Sequence, residues 1–164
     1  PFRRRLGTGA RRLQWAPDNS LIMGGTDRGW ASLGTNGRGF GLERLVWTGE
    51  TPFELLEMSA RPQGFHLTFT APVDPESALD LESYVLSSFT YLLHSTYGSP
   101  EVEKATLEIT SCTLGDDGRS VDLVVEGLRA GWLHELHLDG VRSAAGAPVL
   151  HPRAYYTLAF RPEK

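Results

Sequence analysis

The chain has 164 residues, of which 40% are hydrophobic and 22% are charged, and its formal net charge is −4. Length and composition fit one globular domain with a modest extension, and no window approaches the roughly 18 apolar residues that a membrane-spanning helix needs. Cys112 is the single cysteine, which excludes an internal disulfide, a CxxCH haem-attachment motif and an all-cysteine zinc site.

The first twelve residues form a basic arm that contains five arginines and no acidic residue. Such an arm is either a solvated terminal segment or a docking element for an acidic partner. The remainder of the chain is acidic and carries no recognisable nucleic-acid module, so we predict no nucleic-acid partner. The arginines of the arm are Arg3, Arg4, Arg5, Arg11 and Arg12.

Residues 13–50 predict short strands around a glycine-rich loop. "LQWAP" and "DNSLIMGG" predict two strands joined by a Pro-Asp-Asn turn, and "RLVWTG" predicts a third. The glycine-rich loop lacks the G-x-G-x-x-G spacing and the closing Lys-Ser/Thr of a phosphate-binding loop. Trp30, Phe40 and Trp47 are of the residue types that anchor protein interfaces. We therefore predict that these three residues, together with the arginines of the arm, bind a partner protein.

From residue 52 onward, nearly every periodic stretch predicts a strand. "GFHLTFTAPVD" alternates apolar and polar residues, and "GDDGR" between two such runs predicts a β-hairpin. The one helical signal is "DPESALDLESY", with Asp74 as its cap and Pro75 at the first position. Seven or so short strands with little helix predict a two-sheet sandwich. The predicted core consists of Phe65, Leu67, Phe69, Val85, Leu107, Ile109, Val121, Leu123, Val125, Leu136, Leu138, Tyr156 and Leu158.

Two histidines in "LHELHL", His134 and His137, are the only pair whose spacing invites a metal site. On a strand, an odd separation sends two side chains to opposite faces, so this pair cannot share a metal ion unless the strand contains a bulge. No Ser-His-Asp or Cys-His arrangement can be defended from spacing. We therefore expect no metal site, no cofactor and no catalytic residue in this chain.

Several phrases of the sequence resemble known bacterial proteins. "TFTAPVDP", "ALDLESY", "DDGRSV" and "ELHLDGVRSAAGAPV" resemble a bacterial Ig-like domain over residues 52–161. "APDNSLIMGG" and "GLERLVWTG" are similar to the closing blade of the β-propeller in sorbosone/glucose-dehydrogenase-like proteins, which are extracytoplasmic and often linked to cytochrome c. The resemblance implies an all-β chain: a basic arm at residues 1–12, a propeller-blade-like segment at residues 13–50 and an Ig-like or fibronectin-like β-sandwich at residues 52–164.

The same resemblance implies a function without catalysis. The catalytic and quinone-binding residues of such dehydrogenases belong to other blades, so none carries over to this chain. We expect a periplasmic or extracytoplasmic structural subunit, peripheral on the membrane, that docks on a cytochrome c-containing or reaction-centre-type electron-transfer complex. Two alternatives stay open: a C-terminal fragment of a quinone-dependent sugar dehydrogenase, and a carbohydrate- or surface-binding Ig-like module that uses Trp30 or Trp132.

Overall fold

The protein is described from a computed structural model, which covers residues 6–7, 9–26 and 40–163. The chain divides into two compact units, residues 1–50 and residues 51–164, which we call unit 1 and unit 2. Their described residues form three antiparallel sheets. The prediction of an all-β fold is therefore confirmed.

Unit 1 contains a three-stranded sheet with β2 in the centre. Its strands are β1 (Gly9–Trp15), β2 (Leu21–Thr26) and β3 (Phe40–Leu45). The predicted turn joins β1 to β2, and Asn19 adopts a positive φ of 61° there. The third strand begins earlier and ends earlier than "RLVWTG" predicts. In its pairing with β2, Phe40 lies opposite Thr26 and Leu45 lies opposite Leu21. Because Leu21 is the first residue of β2, the pairing ends at Leu45 and Trp47 lies beyond it.

The structure of unit 1 does not show a propeller blade. A blade is a four-stranded sheet, whereas the described residues of unit 1 form three strands. Arg11 and Arg12, assigned above to the basic arm, lie within β1. The predicted division into an arm, a blade-like segment and a sandwich stays a prediction.

Unit 2 consists of two four-stranded antiparallel sheets that share one core, which is the arrangement of a β-sandwich. One sheet has the order β4-β5-β9-β8 and the other the order β11-β10-β6-β7. The strands are β4 (Leu55–Arg61), β5 (Gly64–Phe69), β6 (Val85–Tyr91), β7 (Glu101–Leu107), β8 (Ile109–Leu114), β9 (Ser120–Val125), β10 (Trp132–His137) and β11 (Arg153–Leu158).

The predicted helical segment of unit 2 is short. Helix α1 (Pro75–Leu79) begins after Asp74, whose side chain accepts a hydrogen bond of 3.0 Å from the Ser77 amide, and a single 3₁₀ turn (Leu81–Ser83) follows. Within the described ranges no helix is long and apolar enough to cross a membrane. The helix packs beside β8, where the Cys112 thiol lies 3.1 Å from the Leu79 carbonyl oxygen.

The core of unit 2 follows the predicted alternation with one error. Val85 is 55% exposed, whereas its neighbour Leu86 is 1% exposed. "YVL" places apolar residues in succession, and the register with β10 pairs Leu86 with the buried Leu136, so Val85 faces outward. Ile109 and Tyr156 are only partly buried. The predicted core residues that are buried are Phe65, Leu67, Phe69, Leu107, Val121, Leu123, Val125, Leu136, Leu138 and Leu158.

Candidate interaction surface in unit 1

The sheet of unit 1 presents two unlike faces, because residues paired across antiparallel strands point to the same side. Trp15, Leu21 and Leu45 form one row across the three strands. The neighbouring row, two residues earlier in β1, contains Leu13, Met23 and Glu43 and lies on the same face. We call this side the tryptophan face.

A groove lies at the end of the tryptophan face. Its cavity has a volume of about 500 Å³. Trp15 is 68% exposed and Trp47 is 66% exposed. The Trp47 indole nitrogen donates a hydrogen bond of 3.1 Å to the Glu50 carbonyl oxygen, so its polar atom already has a partner within the chain. We call this cavity the tryptophan groove, and it is lined by Trp15, Asn19, Leu21, Leu45 and Trp47.

The lining of the groove determines what it can bind. Among these lining residues, Asn19 is the one whose side chain offers both a hydrogen-bond donor and an acceptor. A polar ligand in this groove finds a combined donor and acceptor in Asn19 alone, so its remaining polar groups must face solvent. Apolar side chains of another protein match the lining, because burial of apolar surface drives association without directional partners.

The opposite face of the sheet is basic and apolar. Phe40 is 82% exposed and Leu42 is 76% exposed. Arg12 and Leu42 both pair with Gly24 and therefore lie on this face. Arg44 also lies on this face, where it forms an ion pair with Asp18.

Four of the eight predicted partner-binding residues lie outside the described residues: Arg3, Arg4, Arg5 and Trp30. The other four are not brought to one place. Arg12 and Phe40 lie on the same face, whereas Trp47 follows the far end of β3 and lines the groove. Arg11 lies at the irregularity between Ala10 and Arg12 in β1. Whether these residues bind a partner stays a prediction.

Sequence reasoning missed Trp15 and Leu42 as surface residues. Both belong to strands in which apolar residues alternate, and a buried position would carry the same pattern. Their exposure follows from the number of strands in the sheet and from its register, which the sequence does not show. Trp15 carried one usable signal, because it stands next to the predicted turn that begins at Pro17.

In unit 2 the titratable side chains pair with each other on the outer sheet surface. Glu135 accepts hydrogen bonds of 3.0 Å from both the Lys104 ammonium group and the Tyr155 hydroxyl, and its carboxylate lies 3.2 Å from His137. The bond from Lys104 is the main reason that the pKa of Glu135 lies below its ordinary value. These four residues hold one another in place.

His134 points the other way from its strand neighbour His137, as the odd spacing predicts. It is fully buried, and its ring lies 5.4 Å from the Phe65 ring. Neither ring nitrogen meets the geometry of a hydrogen bond, although backbone groups of Trp132 and Tyr156 lie close enough to act on the pKa of the ring. Burial lowers the pKa of His134 below its ordinary value. Within the described ranges, no group of three or more metal-ligating side chains converges.

Comparisons with known proteins show similarity of fold only. No protein-family model matches the sequence, and no curated protein matches it. The solved structures include the S-layer protein rSbsC(31-844), with a TM-score of 0.50 and 19% identity over 65% of this chain and 14% of that chain. The N-terminal part of the bacterial S-layer protein SbsC gives a TM-score of 0.50 and 18% identity over 65% of this chain and 23% of that chain.

The resemblance to sorbosone/glucose-dehydrogenase-like proteins is therefore wrong. The structural neighbours are S-layer protein domains, and the comparisons give no support to a dehydrogenase. The physical reason lies in the phrases that carried the resemblance. "APDNSLIMGG" is a tight turn between two strands, and Pro, Asp, Asn and Gly serve that purpose in any antiparallel sheet.

Proposed function

We propose that this chain is a non-catalytic, extracytoplasmic structural module that binds another protein through unit 1. One observation carries the proposal: two tryptophans, Trp15 and Trp47, are 68% and 66% exposed around an apolar cavity of about 500 Å³. Aromatic residues that line a concave apolar site are the usual anchors of protein interfaces.

Burial of the tryptophan face against a partner would stabilise the complex. Leu13 is 61% exposed on the same face as Trp15. Fully burying an aliphatic side chain of this size is worth about 1.5–3 kcal/mol, and aromatic side chains bury larger areas. Soluble monomers rarely expose contiguous apolar patches of this kind, and such patches mark interaction sites.

Location and architecture are part of the same proposal. Two structures of similar fold are S-layer proteins, which supports a place at the cell surface. Two four-stranded antiparallel sheets around one core support an Ig-like or fibronectin-like class for unit 2.

Two other functions have less support. Docking on a cytochrome or reaction-centre complex depended on the dehydrogenase resemblance, which is wrong. Carbohydrate binding through Trp132 requires a free ring face, but the Arg129 guanidinium carbon lies 3.1 Å from the centre of that ring. The cation therefore occupies one face on which a sugar would stack.

Binding of the purified chain to cell envelopes tests the proposal. We expect envelopes of the cell that encodes the chain to retain the wild type, and envelopes digested with protease to lose that capacity. The double variant Trp15→Ser/Trp47→Ser should bind at least tenfold more weakly, because two anchors are removed. The matched control is Leu56→Ser, since Leu56 is 67% exposed in unit 2.

Two results would contradict the proposal. One is equal retention of the wild type and the double tryptophan variant. The other is recovery of a tagged chain only in the cytosolic fraction of those cells. Circular dichroism of each variant should match the wild type, so that a lost fold is not mistaken for a lost contact.

A further inference from the structure

Charge is distributed unequally between the two units. Residues 1–50 contain eight arginines and four acidic residues, which gives a formal charge of +4. Residues 51–164 contain eight basic and sixteen acidic residues, which gives a formal charge of −8. Units of opposite charge in different copies of the chain attract each other, and such fields steer protein association.

Unit 2 has an acidic surface with exposed aliphatic side chains around α1. Leu79, Leu81 and Val85 are 46%, 39% and 55% exposed. Two shallow grooves meet at Glu82, which lines both of them, and Leu81 lines one of the two. None of the described residues that line either groove is basic. We call this region the α1 surface, and it comprises Glu76, Leu79, Asp80, Leu81, Glu82 and Val85.

No basic side chain of the described residues neutralises the carboxylates of the α1 surface. Across the described residues, Glu76, Asp80 and Glu82 form no ion pair with a basic side chain. Asp80 instead accepts a hydrogen bond of 3.0 Å from the Glu82 amide. The lining of the tryptophan groove carries no charged side chain, so the electrostatic attraction comes from the net charge of unit 1 as a whole, which steers the acidic α1 surface of another copy toward it.

We propose that the chain assembles with itself from head to tail, with the tryptophan groove of one copy docked on the α1 surface of the next. Leu79 and Leu81 of one copy enter the groove between Trp15 and Trp47 of the other. This inference rests on the proposed function and names the partner as a second copy of the chain. The groove and the α1 surface are different patches, so the contact is heterologous, and each added copy brings a further patch of the same kind for the next.

Association as a function of concentration and salt is the first part of the test. In sedimentation at low ionic strength, we expect the mass to rise with concentration from the 18.1 kDa of one chain to beyond that of a dimer. Raising the salt from 0.05 M to 0.5 M should weaken association about tenfold, because the screening length shrinks to a few ångströms. A monomer at every concentration and in both salts would overturn the proposal.

Complementary variants are the second part of the test. Trp15→Ser/Trp47→Ser removes the groove, and Leu81→Lys/Glu82→Lys removes the α1 surface. Each variant alone should stay monomeric. An equimolar mixture should form dimers and nothing larger, because one partner keeps an intact groove and the other an intact α1 surface. Phe40→Ser is the matched control in unit 1, since Phe40 is 82% exposed on the opposite face, and it should assemble like the wild type.

The mixture separates this proposal from its competitors. If the α1-surface variant dimerises alone while the groove variant does not, two grooves face each other symmetrically and head-to-tail docking is refuted. If the wild type is monomeric but still binds protease-sensitive envelopes, self-docking fails and the proposed function stands with a different protein as partner. If the wild type neither associates with itself nor binds envelopes, both proposals are rejected.

Discussion

Replacement of the buried histidine of unit 2 by leucine should stabilise the protein. His134 is fully buried, neither of its ring nitrogens meets the geometry of a hydrogen bond, and its ring lies against Phe65. A buried polar group without a partner costs about 1–3 kcal/mol, and leucine is apolar and of similar size. We therefore expect His134→Leu to raise the free energy of unfolding at pH 7.5 by about 1–2 kcal/mol.

The same substitution should change how stability depends on pH. Burial holds the pKa of His134 below the ordinary value of 6.5, and the charge of Arg129 acts in the same direction. As pH falls through 6.5, the unfolded chain therefore takes up a proton that the folded chain does not. Stability is complete above that pH and is lost below it, at up to 1.4 kcal/mol per pH unit. Between pH 6.5 and pH 5 the loss from this residue is at most about 2 kcal/mol.

Urea unfolding followed by circular dichroism at pH 7.5, 6 and 5 measures both effects. The gap in unfolding free energy between His134→Leu and the wild type should widen as pH falls. His94→Ala is the control, because His94 is exposed in the loop between β6 and β7. The reasoning is refuted if the two curves run parallel, or if the leucine variant is less stable than the wild type at every pH.

Three further substitutions test other parts of unit 2. Gly64→Ala should prevent folding or lower the melting temperature severely, because the new Cβ would lie 1.7 Å from the Leu123 carbonyl oxygen in the neighbouring strand. Gly118→Ala should lower the free energy of unfolding by only about 1–2 kcal/mol, because Gly118 has a φ of 63° in the β8–β9 turn but no atom within 4 Å of the new Cβ. Thermal unfolding of both variants measures the two effects. A larger loss for Gly118→Ala than for Gly64→Ala would refute the close approach of Gly64 to β9. Glu135→Gln should reduce the stability that the protein loses on acidification. The hydrogen bond from Lys104 lowers the pKa of Glu135 below its ordinary value of 4.5. The stabilisation by the Glu135 carboxylate is therefore present above pH 4.5 and disappears as pH falls through the pKa of the folded state. Urea unfolding at pH 5 and pH 3.5 should show a smaller difference for this variant than for the wild type.

The elements of unit 2 could be predicted because local chemistry determines them. Phe65, Leu67 and Phe69 alternate with polar residues, so one face of β5 had to be buried. The turn before Arg119 needs a glycine at positive φ, and Gly118 provides it. Val85 was assigned to the wrong face because it stands within a run of apolar residues. Either of two registers would bury part of that run, and the pairing with β10 decides between them.

The candidate surface could be predicted only in part. Aromatic types pointed to Trp47 as an anchor, but its partner Trp15 is 32 positions earlier in the sequence. The two meet at one groove because β1 and β3 both pair with β2, and Leu21 is opposite both Trp15 and Leu45. Such a meeting depends on strand order and register, which are set by contacts between distant residues. The opposed charges of the two units were visible in the sequence.

Tryptophan fluorescence can report whether the groove of unit 1 is occupied. Of the four tryptophans, Trp132 alone belongs to unit 2, and the Arg129 guanidinium covers one face of its ring. Trp15 and Trp47 emit from an exposed groove, so a dissolved quencher such as acrylamide reaches them readily. Any occupant of the groove displaces water and quencher from both rings and shifts their emission to shorter wavelength. Occupancy of unit 1 can therefore be read from the unlabelled chain by fluorescence alone.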